Sequence, residues 1–182
     1  MIMAEENVES TSPEHSGFPS FEKILVAYDE TEISKRALSY AAYFSKLSDS
    51  EIVVINVVKS DRDFKGLPLT IKANREGKEE QEQQPAAGES QSAVLQEIVK
   101  EMTTTCKAAG LTKKITFEIR TGNPADEIIN ISNLMRFDLI IMGSRRIASK
   151  IEVIGSTTRK VITKVKTPLL IVHKQPTYKD EY

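Results

Sequence analysis

Five short apolar segments, separated by four amphipathic stretches, constrain the fold of this chain more than any other feature. Several segments are apolar on consecutive residues instead of alternating, which is typical of strands covered on both faces. Between them, apolar residues recur at helical spacing. With right-handed crossovers, this order predicts an open, Rossmann-like parallel α/β sheet with helices on both faces. The segments are Lys23–Asp29, Glu51–Val58, Ile115–Thr121, Asp138–Gly143 and Pro168–His173.

Polar segments flank and interrupt this predicted domain, which spans 21–174. Residues 1–20 carry four Glu and two Pro with no Lys or Arg, so we expect an acidic, flexible N-terminal tail. Within a polar region at about 60–93, residues 72–93 contain no Ile, Leu, Val, Met or aromatic residue. We therefore expect a mobile surface loop there, with a helix beginning in its Glu/Gln part as the alternative. A short C-terminal tail, 175–182, follows the domain.

Composition narrows the classes of function. Lys and Arg number 25 against 26 Asp and Glu, so the formal charge of −1 gives no case for a nucleic-acid or membrane partner. Cys106 is the single cysteine and His15 and His173 are the two histidines, which argues against a zinc hydrolase or a multi-cysteine metal site. No apolar run approaches the roughly 20 residues that span a bilayer, and the N-terminus lacks a secretory pattern. We expect a cytoplasmic protein with an inert, part-buried Cys106.

The sheet architecture itself indicates where a ligand would bind. In open parallel sheets, ligands bind beyond the carboxyl ends of the strands, where the strand order reverses. Asp29, Val57, Gly122 and Gly143 lie at such ends. We expect 122–124, which reads Gly-Asn-Pro, to form a strand-to-helix turn rather than a ligand contact.

The segment from Gly143 to Thr158 has the features of an anion site. Gly143 ends the fourth strand, and Gly155, followed by Ser-Thr-Thr, opens the last helix. Free N–H groups and the helix dipole attract anions at such an opening, and Arg145 and Arg146 could add forked donors. The alternative is that Ser156 only caps the helix and the basic residues form a solvated face. Neither a P-loop nor a dinucleotide fingerprint is present.

Three blocks of the sequence, at 23–41, 121–128 and 142–172, together resemble the universal stress protein family. The resemblance covers about 21–174. It implies a five-stranded parallel sheet of order 3-2-1-4-5 and a homodimer that pairs through the last strand, at 168–173. It also implies that members of the nucleotide-binding branch bind ATP or AMP, with or without Mg²⁺.

The same resemblance assigns roles to individual residues. In the nucleotide-binding branch, a G-x2-G-x9-G-[ST] pattern wraps the phosphates and ribose; Gly143 would be its first glycine. Asp29 would meet the ribose or adenine, and the alternative is that it forms only part of a helix start. Ala27 and Val57 would line the adenine slot. Gly155 and Ser156 would close the pattern, and the hydroxyl residues Ser156, Thr157 and Thr158 would hold the phosphates at the helix N-terminus. The predicted contacts are completed by Tyr28, Met142, Arg145 and Arg146.

This chain departs from the family pattern within the basic loop. Arg146 replaces the second glycine, and eight residues instead of nine separate it from Gly155. Arginine cannot provide a glycine's close backbone approach, so the number of phosphates stays open.

Three functions are compatible with these features. We expect a cytoplasmic adenine-nucleotide-binding regulatory module of the stress response, dimeric and acting on an unidentified protein partner. A nucleotide-free dimeric interaction module of the same fold is the alternative, motivated by the altered loop. A slow ATP hydrolase is less supported, because no general base is evident and Asp29 alone is a thin basis for Mg²⁺ chemistry. We assign no catalytic residues.

Overall fold

A computed structural model describes residues 20–58, 69–73, 79–82, 89–144 and 154–173. The predicted tails, except Ser20, and the remaining parts of the loop at 60–93 lie outside these residues, as do Arg145 and Arg146. The strands are β1 (Lys23–Tyr28), β2 (Glu51–Val58), β3 (Leu69–Ala73), β4 (Glu79–Glu82), β5 (Ile115–Thr121), β6 (Leu139–Gly143) and β7 (Leu169–Val172). The helices are α1 (Glu32–Ser48), α2 (Glu89–Ala108), α3 (Pro124–Leu134) and α4 (Ser156–Lys164).

All the described strands belong to one sheet, in the order β4-β3-β5-β2-β1-β6-β7. The five strands predicted from the sequence are parallel to one another, and their order confirms the expected 3-2-1-4-5 arrangement. Because β1 has β2 on one side and β6 on the other, the strand order reverses at β1. Ligand sites of open α/β sheets lie at this position, beyond the carboxyl ends of the strands.

An antiparallel hairpin of β3 and β4 extends the sheet beyond β5. The prediction of a loop is therefore wrong for the strands at 69–73 and 79–82 and for the part of 60–93 where α2 begins. The prediction weighed only apolar burial, whereas the open backbone edge of β5 offers hydrogen bonds that do not depend on side-chain polarity. The outer strand β4 reads Glu-Glu-Gln-Glu, and charges on an edge strand oppose pairing with a further strand.

Two apolar cores lie on opposite faces of the sheet. Ile24 and Val26 of β1 pack with residues of α1 and α2, including Met102, on one face. Leu25, between them in sequence, packs with residues of α3 and α4, including Val161, on the other. Because both faces of the central strands are covered, nearly every residue of β1 and β2 must be apolar, which explains the continuous apolar runs.

The single cysteine lies inside the first of these cores. Cys106 is 1% exposed, and burial raises the pKa of its thiol to about 12. We expect a thiolate-specific reagent at mildly alkaline pH to leave the native protein unlabelled and to label it stoichiometrically in guanidinium, because the thiolate is the nucleophile. Rapid stoichiometric labelling of the native protein would contradict this placement.

None of the described helices combines the length and the apolar character needed to cross a bilayer.

Candidate functional site

A cavity of about 510 Å³ opens at the carboxyl ends of β1, β2 and β6, at the point where the strand order reverses. Of the twelve residues predicted to contact a ligand, ten line it. They are Ala27, Tyr28, Asp29, Val57, Met142, Gly143, Gly155, Ser156, Thr157 and Thr158. Sequence positions from both ends of the chain are thus brought together in one site.

Sequence reasoning missed six further residues that line the cavity. Two patterns could have identified them. Ile55 lies two residues before Val57 and therefore on the same face of β2. The others begin the helices that follow strand ends, which is where a parallel sheet brings helix N-termini to its ligand site. The six are Thr31, Ile33, Ser34, Ile55, Pro124 and Ile128.

The turn before α3 has the predicted form. Gly122 has a positive φ of 134°, and Pro124 occupies the first turn of the helix. Pro124 nevertheless also lines the cavity, so the turn and the cavity wall overlap at this residue.

Three helices begin at the cavity, and their N-termini differ in one respect. The N-terminus of α1 is capped by Thr31, whose Oγ1 accepts from the N–H of Ser34 at 3.2 Å. The N-terminus of α3 is capped by Asn123, whose Oδ1 accepts from the N–H of Ala125 at 3.0 Å. The cap position of α4 is Gly155, which makes no side-chain cap hydrogen bond.

The start of α4 therefore presents backbone donors to the cavity. Its first helical hydrogen bond runs from the N–H of Arg159 to the carbonyl of Gly155, at 2.9 Å. The N–H groups of Ser156, Thr157 and Thr158 precede this bond, and such groups, together with the helix dipole, form an anion site. The alternative that Ser156 caps the helix is wrong, because Ser156 is the first helical residue and Gly155 occupies the cap position.

The hydroxyl groups at this helix start do not have equivalent roles. Ser156 is exposed and Thr157 is half-buried, and both line the cavity. Thr158 is 2% exposed, and its hydroxyl donates to the carbonyl of Gly143 at 3.4 Å. The hydroxyl of Thr158 therefore ties α4 to β6, and we assign only its N–H group to the anion site.

Ser144 and Gly155 fix the two ends of the basic loop. The N–H of Ser144 donates to the carbonyl of Val172 at 2.8 Å. The hydroxyl of Ser144 accepts from the N–H of Gly155 at 3.3 Å. The end of β6 and the start of α4 are thus held together.

Gly143 has a packing role that the motif does not reveal. A Cβ at this position would lie 2.8 Å from Cγ2 of Ile33 and 3.4 Å from its carbonyl carbon. The first turn of α1 therefore approaches the end of β6 as closely as a glycine permits.

Asp29 supplies the acidic group of the cavity. It is exposed, and its Oδ1 accepts from the hydroxyl of Thr31 at 2.6 Å and from the N–H of Thr31 at 3.4 Å. The cap of α1 is Thr31, so Asp29 supports the capping residue without being the cap itself. Among the described lining residues, Asp29 is the only acidic one. The cavity thus combines a carboxylate from the end of β1 with the electropositive start of α4.

Apolar side chains form the wall between these polar groups. Ala27 and Val57 are half-buried and pack against the core that contains Ile55 and Ile128. All four residues, together with Met142, line the cavity. The site can therefore hold a flat apolar group beside a hydroxyl donor and an anion.

Tyr28 contributes backbone rather than side chain to the cavity. Its ring packs on the α1 and α2 face of the sheet, opposite Ala27. Its hydroxyl donates to Oε1 of Glu101 at 3.2 Å and lies 3.4 Å from Oγ1 of Thr105, both on α2. Burial, and then the negative charge of Glu101, raises the pKa of Tyr28 from its usual 10.0 to about 12, against a lowering by the Thr105 hydrogen bond.

This raised pKa predicts a loss of stability at alkaline pH. Between pH 10.0 and about 12 the unfolded state loses the Tyr28 proton before the folded state does, so the free energy of unfolding falls as pH rises. We expect an absorbance titration to find a tyrosine that ionises well above the usual range. Tyr28→Phe should remove that phase and flatten the alkaline decline. A late phase that persists in the variant would contradict the assignment.

Comparison with known proteins agrees with this architecture. The family model described as the universal stress protein family matches residues 20–173. Universal stress protein MJ0531 of Methanocaldococcus jannaschii is 30% identical over 155 residues, which cover 85% of this chain and 83% of that protein.

Two solved structures share the fold at lower sequence identity. One is a universal stress protein in complex with cAMP, with a TM-score of 0.59, 19% identity and coverage of 86% of this chain and 100% of that one. The other, from Archaeoglobus fulgidus, is in complex with dAMP, with a TM-score of 0.52, 17% identity and coverage of 84% and 98%. Because the family model matches residues 20–173, the chain belongs to the universal stress protein family.

Proposed function

We propose that this protein is an adenine-nucleotide-binding regulatory module of the stress response. The nucleotide occupies the cavity between the end of β1 and the start of α4. The observation that carries the proposal is the helix start at Gly155, which has no side-chain cap, whereas the other two helices that begin at this cavity are capped. A phosphate would accept hydrogen bonds from the backbone N–H groups at this helix start, where the described residues provide no side-chain cap.

The other cavity residues suit the remaining parts of a nucleotide. Adenine is flat and largely apolar on its faces, so it can pack against the apolar wall formed by Ala27 and Val57. Ribose hydroxyls donate hydrogen bonds, which the carboxylate of Asp29 can accept. The complexes of related proteins with cAMP and dAMP support this choice, since both ligands carry adenine and one phosphate. We propose ATP or AMP as the ligand, with any Mg²⁺ held mainly through the phosphates.

The regulatory part of the proposal rests on the loop that joins β6 to α4. Both ends of this loop border the cavity at Gly143 and Gly155. A bound nucleotide would therefore lie beside both ends of this loop, and a ligand with differential affinity for two conformations shifts the population toward one of them, which a protein partner can recognise.

We also propose that two copies pair through β7. This strand ends the order of the described sheet, so its outer backbone edge is not used by another described strand. Leu169, Leu170 and Ile171 are half-buried, which suits an edge that a second copy covers. Light scattering should give twice the chain mass at micromolar concentrations; a monomer there would contradict the pairing.

Calorimetric titration tests the proposed ligand. AMP and ATP should each give saturable heat at one site per chain, and GTP should bind more weakly because its base carries a different hydrogen-bond pattern. Asp29→Asn should weaken the binding of both adenine nucleotides. No heat with either nucleotide at millimolar concentration would contradict the proposal. That result would favour the nucleotide-free interaction module, which is suggested by Arg146 in place of the second glycine of the family pattern.

A further inference from the structure

One peptide group at the cavity is held by a side chain at each of its two ends. It joins Tyr28 to Asp29, both of which line the cavity. Its carbonyl, from Tyr28, accepts from Nδ2 of Asn56 at 3.2 Å. Its N–H, from Asp29, donates to Oγ of Ser34 at 3.3 Å. The orientation of the whole peptide plane is thus fixed from two different elements, β2 and α1.

The amide of Asn56 lies in surroundings that would suit an apolar residue. Asn56 is 6% exposed, and the earlier residues on the same face of β2, Ile52 and Val54, belong to the apolar core. Its neighbours in sequence, Ile55 and Val57, line the cavity on the opposite face. A buried amide is unfavourable unless it is hydrogen-bonded, and the register places Asn56 directly opposite Tyr28.

The hydroxyl of Ser34 is also occupied within the protein. Ser34 is 2% exposed, and its Oγ donates to the carbonyl of Thr31 at 2.9 Å while it accepts from the N–H of Asp29. Since Ser34 belongs to the first turn of α1, it ties the strand end to the helix start. Its hydroxyl is therefore better suited to hold the backbone than to contact a ligand.

The backbone leaves regular strand geometry directly after this peptide. The chain leaves β1 after Tyr28, and Glu30 has a positive φ of 63°, a conformation that few non-glycine residues adopt. A rotation of the peptide plane between Tyr28 and Asp29 would exchange the positions of its carbonyl and N–H group, so the two hydrogen bonds fix how this backbone is oriented beside the cavity.

We propose that Asn56 and Ser34 are positioning residues, which together clamp the peptide between Tyr28 and Asp29 so that this backbone meets the nucleotide in one orientation. This inference rests on the proposed nucleotide-binding function. Asn56 acts through Tyr28, because it does not itself line the cavity.

The test compares Asn56→Leu, Ser34→Ala and the double variant by calorimetry with AMP. Each single substitution should weaken binding about tenfold, the size expected for one net hydrogen bond. The double variant should also be weakened about tenfold rather than a hundredfold, because release of either end already frees the plane. Independent losses that multiply would overturn the clamp, as would unchanged affinity in the single variants.

A control variant separates positioning from loss of stability. Val54→Ala removes buried methyl groups from the same face of the same strand, without contact to the Tyr28 carbonyl, so AMP affinity should stay within about twofold of wild type. An equal loss of affinity in Val54→Ala would show that the effect of Asn56→Leu is one of general destabilisation.

Hydrogen exchange gives a readout that needs no ligand. The Asp29 amide should exchange about tenfold faster in both single variants than in wild type, and at the wild-type rate in Val54→Ala once global stability is accounted for. Unchanged exchange of this amide would overturn the clamp. Faster exchange with no AMP binding even in wild type would instead contradict the proposed function and leave the clamp supported.

Discussion

Gly155→Asp is expected to stabilise the ligand-free protein by about 0.5 to 1 kcal/mol and to weaken AMP binding about a hundredfold. Gly155 has a φ of −54° and a ψ of 150°, which aspartate adopts readily at a helix cap. The new carboxylate would accept from the N–H groups of the first turn of α4 and interact favourably with the helix dipole. It would thereby occupy the donors that we assign to the phosphate and add a negative charge beside them.

The two effects have opposite signs, which makes the result specific. Urea unfolding measures the gain in stability, and calorimetry measures the loss of affinity. Asn123→Asp is the matched control, because it adds the same charge at the start of α3, where Asn123 already provides the cap. We expect that variant to change AMP affinity by less than about threefold, since it leaves the start of α4 unchanged and its added charge is screened by salt. Equal losses in both variants would mean that the phosphate does not bind at the start of α4.

Gly143→Ala is expected to lower the free energy of unfolding by about 2 kcal/mol, the range found for overpacked sites. The added Cβ would lie 2.8 Å from Cγ2 of Ile33, so either α1 or the end of β6 must move. Movement there would also disturb the hydrogen bond from Thr158 to the Gly143 carbonyl. Urea unfolding of the single variant measures this loss.

A second background identifies the cause of that loss. Ile33→Ala removes the methyl group that the new Cβ would meet, so Gly143→Ala should lose less than about 1 kcal/mol in that background. The same loss in both backgrounds would show that the contact with Ile33 is not responsible.

Most of the central sheet could be predicted from the sequence, because strands that are buried on both faces must be apolar at consecutive residues. The strand ends then defined the region of the site, and the glycine pattern identified Gly143 and Gly155 within it. Arg145 and Arg146, which set this chain apart from the family pattern, lie outside the described residues, so their predicted contacts stay predictions.

The features that could not be predicted from the sequence depend on which groups each polar atom contacts. The hairpin of β3 and β4 forms through backbone hydrogen bonds, which amino-acid composition does not reveal. The hydroxyl of Thr158 reads as a ligand donor in the motif but bonds to Gly143. The orientation of Tyr28 could have been inferred, because it alternates with Ile24 and Val26 toward the same face. The clamp formed by Asn56 and Ser34 could not be predicted, because it depends on two separate segments of the chain that contact the same peptide group.

A crystal structure of the protein with AMP is the most direct test of the account. We expect phosphate oxygens at about 2.7 to 3.2 Å from the N–H groups of Ser156, Thr157 or Thr158, with adenine against Ala27 and Val57. A phosphate bound away from the start of α4, or a cavity without nucleotide at saturating AMP, would contradict it.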